Sequence, residues 1–152
     1  IDPAYLAGSV SLILNQRLVH TLCEHCAKSY EPTDAELKFL HDKGVNYPDS
    51  AISFRDSSGC QWCENIGFLG RLAVIESLVM TDDLKRVLLT SNFTRDKKSE
   101  LINELFSCAE KQIGGMDVQR KALLLACQGK VRLSEVIAIR ESLVDLSEEV
   151  DG

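Results

Sequence analysis

Two short stretches carry the pattern that decides how this chain is read: LCEHC at Leu22–Cys26 and GCQWCE at Gly59–Glu64. Each contains two cysteines separated by two residues, and 33 residues lie between the pairs. A two-residue spacer lets both sulfurs of a pair turn toward one ion while backbone amides point at the sulfurs. Thiolate sulfur is a soft donor, and four thiolates form a closed tetrahedral cage that suits zinc. Such a cage leaves no open position, so Cys23, Cys26, Cys60 and Cys63 point to a structural site rather than a catalytic one. Metal binding of this kind contributes on the order of 10–16 kcal/mol to folding. That is enough to close a long loop, because loop-closure entropy grows slowly with length. Two other states of the four cysteines stay open at this level: free or disulfide-bonded thiols, and a rubredoxin-like iron cage. Iron sites tend to have glycine just after each pair, where Ala27 and Glu64 stand here. His25 lies between two of the cysteines and reads as exposed and uninvolved. Cys108 and Cys127 lie on apolar helical faces and read as core residues.

The composition frames the site. A chain of 152 residues with 45% hydrophobic and 26% charged residues has a globular balance and enough length for a real core. Its net charge is −6, and four acids with no base stand in the last eleven residues, SLVDLSEEVDG. An acidic body with few aromatics argues against a general nucleic-acid surface. No apolar run of roughly 18 residues is present, so no membrane span is expected. The start, IDPAYLAGSV, lacks a signal-peptide pattern, so a reducing compartment is expected, where paired cysteines more often bind metal. With no initiator methionine, the chain reads as a piece of a longer protein.

Along the chain, DPAYLAGSVSLILN predicts a helix capped by Asp2 and Pro3, with Leu6, Val10, Ile13 and Leu14 on one face. QRLVHTL predicts a strand running into Cys23. TDAELKFLHDKG predicts a helix with Thr33 and Glu36 as a capping box and Gly44 as its stop. AISF predicts a strand, and the apolar run within GRLAVIESLVM predicts a buried one. From Thr81 onward the pattern is helical. TDDLKRVLLTS, SELINELFSCAEKQIGG, MDVQRKALLLACQG and RLSEVIAIRESLV predict a small bundle. These helices carry their own apolar faces. They are therefore expected to stay folded without metal, whereas the loop 27–59 needs it.

The residues flanking the cysteines say more. Gln16, Arg17 and Leu18 precede the first pair; Gly67, Gly70 and Arg71 follow the second; then come Ile75 and Glu76. In order and spacing this resembles the C-terminal region of the type II/type IV secretion ATPases, the motors of type II secretion and type IV pilus assembly. The resemblance covers Leu6 to about Leu78 well and continues more loosely to about Ile139, through Gly115–Met116 and GKVRLSEV. It departs at VQRKALLLAC, where the family usually carries polar and acidic residues. It departs again at Arg132, where a threonine usually caps the last helix. Gly67 and Gly70 read as backbone positions closed to other residues, and Arg17 and Arg71 as partners of acids such as Glu76 or of the anionic site.

A phosphate-binding loop needs glycines that cradle phosphate and a lysine followed by Ser or Thr. Gly129–Lys130 is followed by Val131 and lacks the preceding glycine. This stretch is therefore expected to be inactive on ATP. The resemblance implies that ATP and Mg²⁺ are bound upstream, in the RecA-like core of a hexameric parent ATPase.

The expected fold is α+β, mostly α. Its parts are the tail of a RecA-like core (1–22), a tetracysteine zinc subdomain (23–63), a C-terminal strand-plus-helix bundle (64–141) and an acidic flexible tail (142–152). The resemblance implies an accessory region that couples ATP-driven motion to an inner-membrane platform protein. Its partners would be the rest of the ATPase and neighbouring subunits, on the cytoplasmic side, without nucleic acid. A free-standing zinc ribbon acting as an interaction or nucleic-acid-binding adaptor is the rival reading.

Overall fold

The structure, a computed structural model, describes residues 2–90, 98–113 and 117–139, with the side chains of 98–100, 102, 106, 110 and 113 left aside. The fold is α+β. Its elements are α1 (Pro3–Ser9), β1 (Leu12–Leu22), β2 (Ala27–Ser29), α2 (Asp34–Asp42), β3 (Arg55–Ser57), β4 (Phe68–Val79), α3 (Asp82–Thr90), α4 (Lys98–Ile113), α5 (Val118–Cys127) and α6 (Leu133–Ile137). Strand β1 pairs with β4, and β2 with β3. The expected acidic tail, 142–152, lies outside the described residues.

The chain divides into two compact units, Ile1–Asn15 with Glu76–Asp117, and Gln16–Ile75 with Val118–Gly152. The boundaries fall inside β1 and β4, and the expected segment 64–141 runs through both units.

In the first unit Asp2 caps α1 by accepting from the Ala4 amide at 2.9 Å, with Pro3 opening the helix. The helix ends at Ser9, and the predicted continuation through Asn15 is corrected: Leu12–Asn15 is strand. Leu6, Val10, Ile13 and Leu14 do recur at helical spacing. Pairing with β4, extended by the Met80 amide bonding to the Ser11 carbonyl at 3.0 Å, outweighs that local preference. Buried Glu76 accepts from Asn15 Nδ2 at 2.8 Å. Helix α1 packs on α3, and α3 on α4. Thr81 caps α3, as predicted, through the Leu84 amide at 3.5 Å. The Gln112 amide group donates to the Val79 carbonyl at 3.0 Å and accepts from the Val79 amide at 3.1 Å, pairing the backbone where β4 ends.

The second unit holds a core of Val19, Leu40, Phe54, Val74, Val118, Ala122, Leu123, Ala126, Val131, Leu133 and Val136. Thr33 and Glu36 form the predicted capping box of α2: the Glu36 amide donates to Thr33 Oγ1 at 3.4 Å, and Glu36 Oε2 accepts from the Thr33 amide at 2.9 Å. The strand predicted at AISF is displaced to Arg55–Ser57. Phe54 is buried instead, and the Ser53 amide bonds to the Cys127 carbonyl at 2.9 Å. The inter-cysteine loop thus shares its core with α5 and α6. The expectation that all helices after Thr81 stand apart from it is corrected for these two. Leu40 and Phe54 of the loop pack with Val118, Leu123 and Val136, and Tyr30, Leu37, Phe39, Tyr47 and Ile52 line the same core.

Candidate metal centre

The antiparallel ribbon of β2 and β3 places the two cysteine pairs together. Its register pairs Ala27 with Ser57, Lys28 with Asp56 and Ser29 with Arg55. Cys26 therefore stands one residue before one end of the ribbon, and Cys60 three residues after its partner strand. The Cys23 amide bonds to the Gly67 carbonyl at 2.9 Å, joining the first pair to the segment after the second.

The four sulfurs all lie within 4.8 Å of one another. Cys23 and Cys60 are 3.8 Å apart, Cys26 and Cys63 3.9 Å, and Cys60 and Cys63 3.7 Å. A tetrahedron with metal–sulfur bonds of about 2.3 Å has sulfur–sulfur edges of about 3.8 Å. The cluster therefore has the size of a tetrathiolate cage, and the separations are far longer than the roughly 2.05 Å of a disulfide. All four cysteines are free thiols. Together they can hold a metal ion such as zinc.

Backbone amides face the sulfurs. Cys63 Sγ accepts from the Cys60 amide at 3.1 Å and from the Gly67 amide at 3.2 Å. Burial works against the Cys63 thiolate, but these amides, with the neighbouring Cys60 and Cys26 thiols, pull its pKa down to about 6. Burial and hydrogen bonding to the other three thiols push Cys26 up to about 12, against the Gly59 amide. Cys63 is thus shifted toward its thiolate and Cys26 toward its thiol. Metal binding has to displace the protons that remain.

The other residues singled out in the sequence are placed as follows. Gln16, Arg17 and Leu18 are exposed on β1, and Gly70 and Arg71 are exposed on β4. The ion pairs among the described residues include neither Arg17 nor Arg71. Gly67 is buried with φ +88°, and Gly70 has φ +82° in open space. His25 is outside the cluster and stacks on Trp62, with ring centroids 4.8 Å apart. Cys108 and Cys127 are half-buried, Cys127 against the core of the second unit. Asp56, Ser57 and Arg132, which stands at the start of α6, adjoin the ribbon that leads to the centre. The sequence flagged only Arg132, and only as a departure from a familiar pattern.

A model of the type II/IV secretion system protein family matches residues 1–140. The chain belongs to this family. Among its relatives is the type IV pilus assembly ATPase PilB of Myxococcus xanthus, 30% identical over 139 residues, which are 90% of this chain and 22% of that protein. PilB of Pseudomonas aeruginosa is 33% identical over 138 residues, 88% of this chain and 22% of that protein. The type II secretion system ATPase E of Vibrio cholerae is 35% identical over 88 residues, 58% of this chain and 17% of that protein. The chain thus spans 22% or less of the length of these three relatives. No helix among the described residues is long and apolar enough to cross a membrane.

Proposed function

We propose that this chain is the C-terminal accessory region of a hexameric secretion or pilus-assembly ATPase, and that Cys23, Cys26, Cys60 and Cys63 hold one structural zinc ion. The observation that carries this reading is a four-sulfur cluster of tetrathiolate dimensions within the stretch matched to the secretion family. The zinc supplies a cross-link. It ties together the two ends of the loop 27–59, whose apolar side chains share a core with α5 and α6. Residues 1–22 are then the tail of a RecA-like core, 23–63 the zinc subdomain and 64–141 the strand-plus-helix region. Gln16, Arg17, Leu18, Gly67, Gly70, Arg71 and Glu76 serve as structural residues of the family pattern.

In this reading ATP and Mg²⁺ bind upstream, in the part of the parent that this stretch does not include. The region passes ATP-driven motion to the inner-membrane platform protein from the cytoplasmic side. The relatives' names as pilus-assembly and secretion ATPases support this, as does the absence of a phosphate-binding loop from the sequence.

The test uses the full-length protein in its host, carrying Cys60→Ser or Cys63→Ser. Zinc content and secretion or piliation should fall together, while nucleotide binding by the upstream core persists. Normal secretion or piliation from a zinc-free variant would overturn the reading. The chain by itself should show no ATP turnover, and turnover that survives repurification would reveal a site within it.

A further inference from the structure

Arg132 opens α6 without capping it, since its side chain makes no bond to the helix amides. It reaches the ribbon beside the metal centre instead. Its Nε donates to Asp56 Oδ1 at 2.6 Å, and its Nη2 donates to the Ser57 carbonyl at 2.9 Å. The guanidinium lies 4.8 Å above the Phe68 ring, and Phe68 is the residue after Gly67. Ser57 is buried, and its hydroxyl donates to the Gly67 carbonyl. Gly67 in turn donates its amide to Cys63 Sγ at 3.2 Å and accepts from the Cys23 amide at 2.9 Å. An unbroken series of bonds therefore runs from the start of α6, through Ser57 and Gly67, to the Cys63 sulfur and to the backbone of Cys23. A second anchor holds the same helix: Glu135 accepts from the His20 amide at 3.1 Å and from His20 Nδ1 at 2.8 Å, while the His20 ring packs 5.1 Å from Phe68.

We propose that Arg132 is a positioning residue for the metal centre: its fork fixes Ser57 and Asp56, Ser57 fixes Gly67, and Gly67 sets the sulfur of Cys63 and the backbone of Cys23. Two physical reasons support it. A planar guanidinium bonding two acceptors at once fixes direction as well as distance, which an ammonium does not. Outer groups that orient metal ligands typically tune affinity by about 10–100-fold. The arrangement also works in reverse, since an ion that fixes Cys63 and Cys23 fixes the ribbon on which α6 rests. The inference deepens the zinc reading above and rests on it only for the affinity measurement.

The experiment compares the chain with Arg132→Met, which keeps an apolar stem over Phe68 but removes the fork, with Arg132→Lys, and with Ser57→Ala. Arg120→Ala is the control. Arg120 is an exposed arginine of the same unit that donates to the Lys43 carbonyl. Zinc affinity is read by competition with a chromophoric chelator. Arg132→Met and Ser57→Ala should each weaken zinc by about tenfold at unchanged stoichiometry. Arg132→Lys should recover little of the loss, and Arg120→Ala should match the parent.

A second readout needs no metal: the alkylation rate of Cys63 and the hydrogen exchange of the Gly67 amide in the metal-free chain. Both should rise several-fold in Arg132→Met and Ser57→Ala. A parent chain that binds no zinc would sink the zinc reading and leave the alkylation and exchange rates to decide this one. Unchanged Cys63 alkylation and Gly67 exchange in folded Arg132→Met would overturn it. Equal changes in Arg120→Ala would also overturn it, since they would reflect lost surface charge alone.

Discussion

At Gly67 the backbone has φ +88°, and a Cβ there would lie 2.8 Å from Ser57 Oγ and 3.1 Å from the Ser57 carbonyl. An L residue meets both costs at once: a disfavoured backbone conformation and a neighbour that is itself hydrogen-bonded to the Gly67 carbonyl. Gly67→Ala should therefore destabilise the zinc-loaded chain by about 1–3 kcal/mol, the usual cost of a strained backbone position. Urea unfolding followed by circular dichroism checks this, and a loss near zero would mean that the segment relaxes freely. The sequence marked Gly67 as a special backbone position, because its place after the second cysteine pair is local information. Its bond to Cys63 Sγ is local, an amide facing a sulfur four residues back, but its contact with Ser57 of β3 was not legible, since it depends on how the loop between them folds back. Arg132 is the harder case. It stands where a cap is expected, and only the fold shows that its side chain turns to the ribbon instead.

Among the elements, α2 was readable to the residue. Thr33, Glu36 and Gly44 are all short-range signals, and the structure has the capping box that the first two predict. Thr33→Ala should cost about 1 kcal/mol. Thermal unfolding checks it, and the effect should be confined to the unit that contains the loop. Elements whose form depends on distant partners read less well. Leu12–Asn15 carries a helical spacing of apolar residues, yet a strand some 60 residues away in sequence draws it into extended structure. In AISF the apolar Ile52 and Phe54 looked like a strand face. Phe54 is instead a core side chain in irregular backbone, held by the Ser53–Cys127 and Tyr30–Phe54 backbone bonds. Hydrophobic pattern alone settles neither burial nor backbone conformation: the run in GRLAVIESLVM forms the strand it predicts, but Leu72, Ile75 and Val79 are exposed on β4 instead of buried.

At the scale of the whole molecule, the inter-cysteine loop and the helices α5 and α6 share one core, while α1, α3 and α4 belong to the other unit. The sequence showed that each segment has an apolar face. It did not show which faces meet, and so the loop and the last helices looked independent. Phe54→Ala, which empties a site only 2% exposed, should cost about 3–5 kcal/mol and loosen α5 and α6 together with the loop. Chelation should likewise lower hydrogen-exchange protection across 16–75 and 118–139, while 2–15, 82–90 and 98–113 keep theirs. Protection lost only near the cysteines would separate the loop from the helices again. The central claim is a single zinc ion held by four thiolates. It is tested most directly on protein purified without added metal, by elemental analysis and X-ray absorption at the zinc edge. The expected result is close to one zinc per chain with four sulfur neighbours at about 2.3 Å. A chain without metal, one holding iron or two ions, or a zinc shell containing nitrogen or oxygen would contradict it.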